Sequence, residues 1–296
     1  MTVLSALVVL ASCKSGTEPA SIPQFEAQAI DLPGVPNARQ FGGYVIGDRQ
    51  VRMDVLLRTG ALANASEEAL QSLHDRYKLA LVADFRTSQE RGKFADRIVE
   101  GTRYVWFPVL EKLLKVEDNA DMEAVHINKD NPSFTLELMK RPAVQKYLRS
   151  TYDTIVFDED YQRSYAAFLD SLVALPEGRA ALWHCSHGKD RGGWGSAFVL
   201  AALGADRELI VADFGMSNIP YAKDIDELVS LAQSEGLADE MREDIYLLRG
   251  VSVPTFEKTL DSIDVRYGSL DNYLEQALLL TSEERAVMQD KFLVSR

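Results

Sequence analysis

Two residues in the segment 184–195, which reads HCSHGKDRGGWG, have the types and spacing of a nucleophile and an anion-binding group. Cys185 follows the apolar run 180–183, which predicts a buried strand, and Arg191 stands six residues later, where a helix begins. A loop of this length turns its backbone N–H groups inward at the positive end of the helix dipole and so predicts an anion site. Arg191 would bind two oxygens of the anion, and the same positive field would favour a Cys185 thiolate. The chemistry expected is nucleophilic displacement at phosphorus.

The C-x5-R spacing is the signature of the cysteine-dependent phosphatases, and His184 to Arg191 fit the fuller pattern HCxxGKDR. The chain resembles the bacterial secreted tyrosine phosphatase family, whose members also act on phosphoserine and phosphoinositides. The resemblance extends from Ile30 to the end of the chain. Four other segments carry it, in the same order as in the family: NARQFGG (37–43), LRTGAL (57–62), DFRT (84–87) and a C-terminal segment with YGS (267–269) and DNYL (271–274).

The resemblance implies a role for each residue of the loop. Cys185 would form a cysteinyl-phosphate that water then hydrolyses, Arg191 would bind the phosphoryl group, and Asp190 would be the general acid, with Asp84 as its rival. His184, Asp84 and Arg86 are expected to support the loop. The predicted phosphate-binding residues are Ser186, His187, Gly188, Lys189 and Gly192.

Two positions depart from the family pattern. Gly192 stands where the family usually has Thr or Ser, whose hydroxyl helps the sulfur leave, so slower turnover is expected. Gln40 replaces the usual acidic residue of the first segment. Lys189 would add a second cation, which in this family accompanies phosphoinositide hydrolysis; the alternative is a solvated loop lysine.

Each site residue also has a purely structural interpretation. Cys185 could be a core cysteine, His184 a satisfied core histidine, and Asp84 the partner of a salt bridge to Arg86. A metal site built on the His184, Cys185 and His187 side chains would need further ligands, but the remaining histidines, His74 and His126, are not at ligand spacing. Neither a metal nor a cofactor is predicted, because the loop amides and Arg191 would neutralise the phosphoryl oxygens.

The N-terminal residues have the order of an export signal. An apolar run over 3–11 precedes Leu10-Ala11-Ser12-Cys13, which resembles a bacterial lipobox with Cys13 as the lipidated residue. No basic residue precedes the run, and the alternative is an ordinary buried element. We interpret 1–13 as a signal peptide, 14–29 as a tether and 30–296 as the phosphatase domain, which would be lipid-anchored at the periplasmic face of a bacterial membrane.

The remaining pattern predicts the elements that position the loop. A hairpin is expected over 44–58, a helix from Ser66, and strands over 79–85 and 103–109, followed by helices from 197 onward. Together these favour one α/β domain with a central, largely parallel sheet flanked by helices. Residues 110–175 read as a helical insertion, either additional packing or a lid over the site.

Composition limits the partners. The 296 residues carry a net charge of -13, so no attraction to nucleic acid is expected, and any bound anion must be captured locally. The expected substrates are phosphorylated proteins or phosphoinositides. Two alternatives stay open: an inositol polyphosphate phosphatase and a catalytically weak phosphate-binding module.

Overall fold

The computed structural model describes residues 28–112 and 130–296. The predicted signal peptide with Cys13, nearly all of the tether, and His126 lie outside the described residues. Among the described helices, none is both long and apolar enough to cross a membrane.

A five-stranded sheet forms the centre of the fold, in the order β1 (Arg39–Gln40), β4 (Leu56–Thr59), β7 (Ala180–His184), β5 (Leu79–Asp84) and β6 (Arg103–Trp106). Strands β4, β7, β5 and β6 are mutually parallel, and β1 is antiparallel at the edge next to β4. The predicted α/β fold with a largely parallel sheet is therefore confirmed. The other three described strands are β2 (Val45–Ile46), β3 (Arg49–Val51) and β8 (Leu293–Ser295).

The predicted hairpin over 44–58 is correct only in its first half. β2 and β3 pair around Gly47, and β8 adds a third strand to this small separate sheet. β4 instead enters the central sheet beside β7, because its residues Leu56–Thr59 are all buried and need cover on both faces.

Twelve α-helices surround the sheet in the described parts of the chain. Several begin at side-chain caps, including the N-caps Ser66 and Ser269 and the capping box at Thr281 and Glu284. The helices are α1 (Glu67–Asp75), α2 (Ser88–Lys93), α3 (Pro132–Met139), α4 (Pro142–Phe157), α5 (Glu159–Val173), α6 (Asp190–Leu203), α7 (Arg207–Gly215), α8 (Ala222–Ser234), α9 (Ala238–Arg249), α10 (Val253–Tyr267), α11 (Leu270–Gln276) and α12 (Ser282–Phe292).

The two faces of the sheet bury different cores, as β7 illustrates. Ala181 and Trp183 point into the larger core, which most of the helices share, whereas Ala180 and Leu182 point into the smaller core under α1. The sequence of β7 is apolar throughout because both faces are covered. Cys185, which directly follows the carboxyl end of β7, is therefore positioned by a strand that is packed on both faces.

The predicted insertion at 110–175 supplies core helices. Tyr152 of α4 and Tyr165 and Phe168 of α5 are fully buried in the larger core, where Tyr165 packs against Phe85 and Phe198. A movable lid built from α4 and α5 would have to withdraw these side chains from the core. The contacts therefore favour the alternative of additional packing for these two helices.

Candidate active site

The predicted loop lies between β7 and α6, as its spacing requires. Cys185 directly follows β7, is a free thiol, and is 2 % exposed. Gly188 has a φ of +65°, and a Cβ at this position would lie 2.3 Å from the carbonyl oxygen of Thr59. Only glycine fits here, because a side chain would meet the backbone of β4 in a conformation that L-residues rarely adopt.

Arg191 lies in the first turn of α6 and is held by a carboxylate that the sequence interpretation missed. Its NH1 and NH2 donate to Glu90 Oε2 at 2.6 Å and to Glu90 Oε1 at 2.7 Å. Glu90 thus binds the guanidinium end-on, at the side formed by NH1 and NH2. The side formed by Nε, which also presents two N–H hydrogens, is left for phosphoryl oxygens. Ser186 Oγ also donates to Glu90 Oε1, at 2.5 Å, so the carboxylate ties both ends of the loop together.

Glu90 is placed by local structure. It is the third residue of α2 and closes a capping box with Thr87, whose N–H donates to Glu90 Oε2 at 2.8 Å. Although burial opposes ionisation, Arg191 and Ser186 hold the pKa of Glu90 far below its ordinary value. The sequence signal was available, since T-x-x-E follows directly on the DFR strand end.

Asp84 lies in a buried charge cluster at the end of β5. Its Oδ1 accepts from the Arg86 N–H and Nε, both at 2.9 Å, and its Oδ2 accepts from Arg86 NH2 at 2.8 Å. Arg91 Nε lies 3.1 Å from the same Oδ2. Burial raises the pKa of Asp84, but His184 and Arg86 outweigh it and lower the pKa overall. A carboxylate that accepts three hydrogen bonds from Arg86, lies beside Arg91 and has a lowered pKa is poorly suited to donate a proton.

The same cluster brings together Asp84, Asp96 and His184, the one described group whose ligand atoms are close enough for a metal ion. His184 Nε2 lies 3.2 Å from Asp96 Oδ2 and is buried without a hydrogen bond of good geometry. Arg86 NH2, however, contacts Asp84 Oδ2 at 2.8 Å and Asp96 Oδ2 at 2.6 Å. The guanidinium already stands between the two carboxylates, where a metal would be repelled.

Asp190, the other candidate acid, begins α6 beside Arg191. Its Oδ1 accepts from the Tyr152 hydroxyl at 3.2 Å, and its Oδ2 lies 2.8 Å from Lys189 Nζ. The Asp190 side chain is 22 % exposed, against 6 % for Asp84. Asp190 is therefore the more accessible carboxyl of the two.

Lys189 is neither solvated nor aimed freely at an anion. Its Nζ donates to the carbonyl oxygens of Gly250 at 2.7 Å and Leu247 at 3.1 Å, besides its contact with Asp190, and the residue is buried. Its role as a second phosphate cation stays a prediction. The position suggests instead that Lys189 fastens the loop to the end of α9.

Two further predicted phosphate-binding residues, His187 and Gly192, have defined contacts. His187 is exposed and faces the ring of Tyr221, with centroids 6.0 Å apart. The Gly192 carbonyl accepts from Ser196 Oγ at 2.8 Å and Trp183 Nε1 at 3.2 Å. The assignment of Ser186, His187, Gly188, Lys189 and Gly192 to phosphate binding stays a prediction.

Residues far away in sequence surround the loop, and the sequence pattern did not predict a role for any of them. They come from the NARQFGG and LRTGAL segments, from α7, and from the segment between α7 and α8. The side chains concerned are Asn37, Arg39, Arg58, Asp213, Ser217 and Tyr221.

A parallel sheet whose central strand ends in a buried cysteine, with a C-x5-R loop running into a helix, defines a cysteine-dependent phosphatase. Residues 30–294 match the profile of the tyrosine phosphatase family, and the chain belongs to that family. It is 29% identical over 272 residues to a Cupriavidus necator protein provisionally named tyrosine-protein phosphatase, covering 88% of this chain and 90% of that protein. It is also 29% identical over 269 residues to the triple specificity protein phosphatase PtpB of Mycobacterium tuberculosis, covering 83% of this chain and 93% of PtpB. The chain is a hydrolase of the protein-tyrosine-phosphatase type, as the loop predicts.

Proposed function

We propose that this phosphatase cleaves phosphate monoesters through a cysteinyl-phosphate on Cys185. The observation that carries the proposal is the Arg191 guanidinium, which Glu90 holds end-on beside a buried thiol at the end of β7. The thiolate attacks phosphorus, forming the S–P bond as the bond to the ester oxygen breaks. Arg191 and the loop amides stabilise the equatorial oxygens.

Asp190 is the proposed general acid. It protonates the departing oxygen, then accepts a proton from the water that attacks phosphorus and restores the thiolate. Its partial exposure and its place beside Arg191 support this role, whereas the contacts of Asp84 with Arg86 and Arg91 support a structural one.

The substrates proposed are phosphotyrosyl proteins, with phosphoserine and phosphoinositides as further substrates. The triple specificity in the name of PtpB supports the wider range. The second cation expected from Lys189 supports neither the phosphoinositide substrates nor the inositol polyphosphate alternative, because its ammonium is bound to carbonyl groups.

The test is phosphate release from phosphotyrosine peptide, phosphoserine peptide, phosphoinositide and phytate, with wild type, Cys185→Ser, Asp190→Asn and Asp84→Asn. We expect no release by Cys185→Ser. Asp190→Asn should lose about 100-fold or more on phenyl phosphate but much less on p-nitrophenyl phosphate, whose leaving group needs no proton. Equal losses on both esters would exclude Asp190 as the acid. Vanadate binding without release from any substrate would favour the phosphate-binding module.

We also propose that the protein is exported and anchored to a bacterial membrane through a lipid on Cys13. The proposal is supported by the Leu10-Ala11-Ser12-Cys13 sequence. Expression with labelled palmitate in a bacterial host should label wild type but not Cys13→Ser. Labelling of both proteins, or of neither, would contradict it.

A further inference from the structure

Four successive carbonyl groups of the phosphate loop, those of residues 186–189, accept hydrogen bonds from groups outside the loop. The Ala61 N–H donates to Ser186 O at 3.1 Å, and the Tyr221 hydroxyl donates to His187 O at 2.7 Å. In a trans peptide the C=O and the next N–H point in opposite directions. Drawing these carbonyls outward therefore turns the following N–H groups toward the face where a phosphoryl group binds.

The Arg58 side chain of β4 contacts both of the last two carbonyls, those of Gly188 and Lys189. Its Nε donates to Gly188 O at 2.9 Å, and its NH2 donates to Lys189 O at 2.9 Å. Asn37 Nδ2 adds a second donor to Gly188 O at 3.0 Å. Arg58 thus orients the peptide units whose N–H groups belong to Lys189 and Asp190.

Arg58 is itself fixed on its other side. Its NH1 contacts Asp213 Oδ2 at 2.8 Å, and NH2 donates to Ser217 Oγ at 3.0 Å. Arg58 is wholly buried and Asp213 nearly so. Every guanidinium nitrogen is engaged, in a planar arrangement that a lysine could not reproduce.

The buried charges under the loop do not balance. Arg39 Nε also contacts Asp213, at 3.4 Å, and is wholly buried like Arg58. Among the described residues, the ion pairs of both arginines are with this one carboxylate. An excess buried cation costs several kcal/mol unless an anion is close, and the anions expected here are the Cys185 thiolate and the phosphoryl group.

We propose that Arg58 is a positioning residue of the phosphate loop, and that its excess positive charge stabilises the Cys185 thiolate and the bound phosphoryl group. The proposal rests on the proposed function. The pKa of Arg58 gives further support: burial and Arg39 lower it to about 10, while Asp213 and Cys185 raise it. Arg58 therefore remains charged at neutral pH.

The test compares full-chain wild type with Arg58→Met and Arg58→Lys. The first readout is the pH profile of Cys185 alkylation by iodoacetamide, followed on the Cys185 peptide by mass spectrometry. The second is the Kd of vanadate by calorimetry. Neither readout requires turnover. Lys291→Met is the matched control, because Lys291 Nζ also donates to backbone carbonyls, including Leu175 O at 2.7 Å, but at the end of α5.

Arg58→Met should move the alkylation midpoint to higher pH and weaken vanadate binding about tenfold or more, the loss expected for charged hydrogen bonds. Arg58→Lys should keep most of the alkylation profile, because it keeps the charge. It should lose about as much vanadate affinity, because the three N–H donors of an ammonium cannot replace the four contacts that the Arg58 guanidinium makes to Gly188 O, Lys189 O, Asp213 and Ser217. Lys291→Met should change neither readout.

A folded Arg58→Met with the wild-type profile and Kd would overturn the proposal. If Arg58→Met does not fold, Arg58→Lys decides, since a wild-type vanadate Kd in that variant would remove the positioning role. A wild-type protein that does not bind vanadate would refute the proposed function itself, which is a distinguishable result.

Discussion

At the scale of single residues, Gly192 is the position where the loop departs from the family pattern. A Cβ at residue 192 would have Arg58 Nε, 3.7 Å away, as its nearest neighbour, an ordinary van der Waals distance. Gly193, one residue later, leaves no such space, because a Cβ there would lie 2.6 Å from the Phe214 ring. The missing hydroxyl at residue 192 is therefore a chemical difference and not a steric requirement.

We expect Gly192→Ser to speed hydrolysis of the cysteinyl-phosphate by roughly 2- to 10-fold, since one added hydrogen bond to the leaving sulfur contributes about 0.5–1.5 kcal/mol. Stopped-flow kinetics with a chromogenic aryl phosphate measures this: wild type should show a burst followed by slow turnover, and the variant a faster steady state. Gly192→Ala is the control, because it adds the Cβ without the hydroxyl. Equal acceleration by both variants would assign the effect to helix stability instead.

At the scale of elements, the sequence predicts strands and loops near the site better than it predicts what the helices pack against. The apolar run of β7, the loop and α6 follow from local pattern, because burial on both faces leaves a continuous apolar strand. The 110–175 segment is different. Its amphipathic helices indicate that one face is buried, but only the fold shows that Tyr165 and Phe168 are buried in the main core.

The residues that the sequence interpretation missed share a physical reason. Glu90 acts on Arg191 from 101 positions away, and Asp213 reaches Arg58 across 155 positions. No periodicity encodes a pairing over such separations, since it depends on the order of strands in the sheet. The Thr87 capping box indicates the start of α2 but not which cation its Glu90 meets.

At the scale of the whole molecule, an acidic chain places three buried arginines around the loop. The chain carries a net charge of -13, yet Arg39, Arg58 and Arg191 all lie under or beside the loop. The proposed capture of a phosphate ester would therefore depend on these local charges and not on long-range attraction, which the net charge opposes.

Glu90, the carboxylate that binds Arg191, couples the site to the stability of the fold. The pKa of Glu90 is lowered in the folded state, because Arg191 and Ser186 outweigh burial, while in the unfolded chain it is about 4.3. A group with a lowered folded-state pKa stabilises the fold above its unfolded pKa and loses that contribution as the pH falls.

Glu90→Gln removes the titrating group but keeps its shape. We therefore expect the difference in unfolding free energy between wild type and Glu90→Gln, measured by urea titration, to be constant from pH 7 to about pH 5. It should then shrink by about 1.4 kcal/mol per pH unit below about pH 4. A difference that stays constant down to pH 3 would mean that the Glu90–Arg191 pair does not contribute to acid sensitivity.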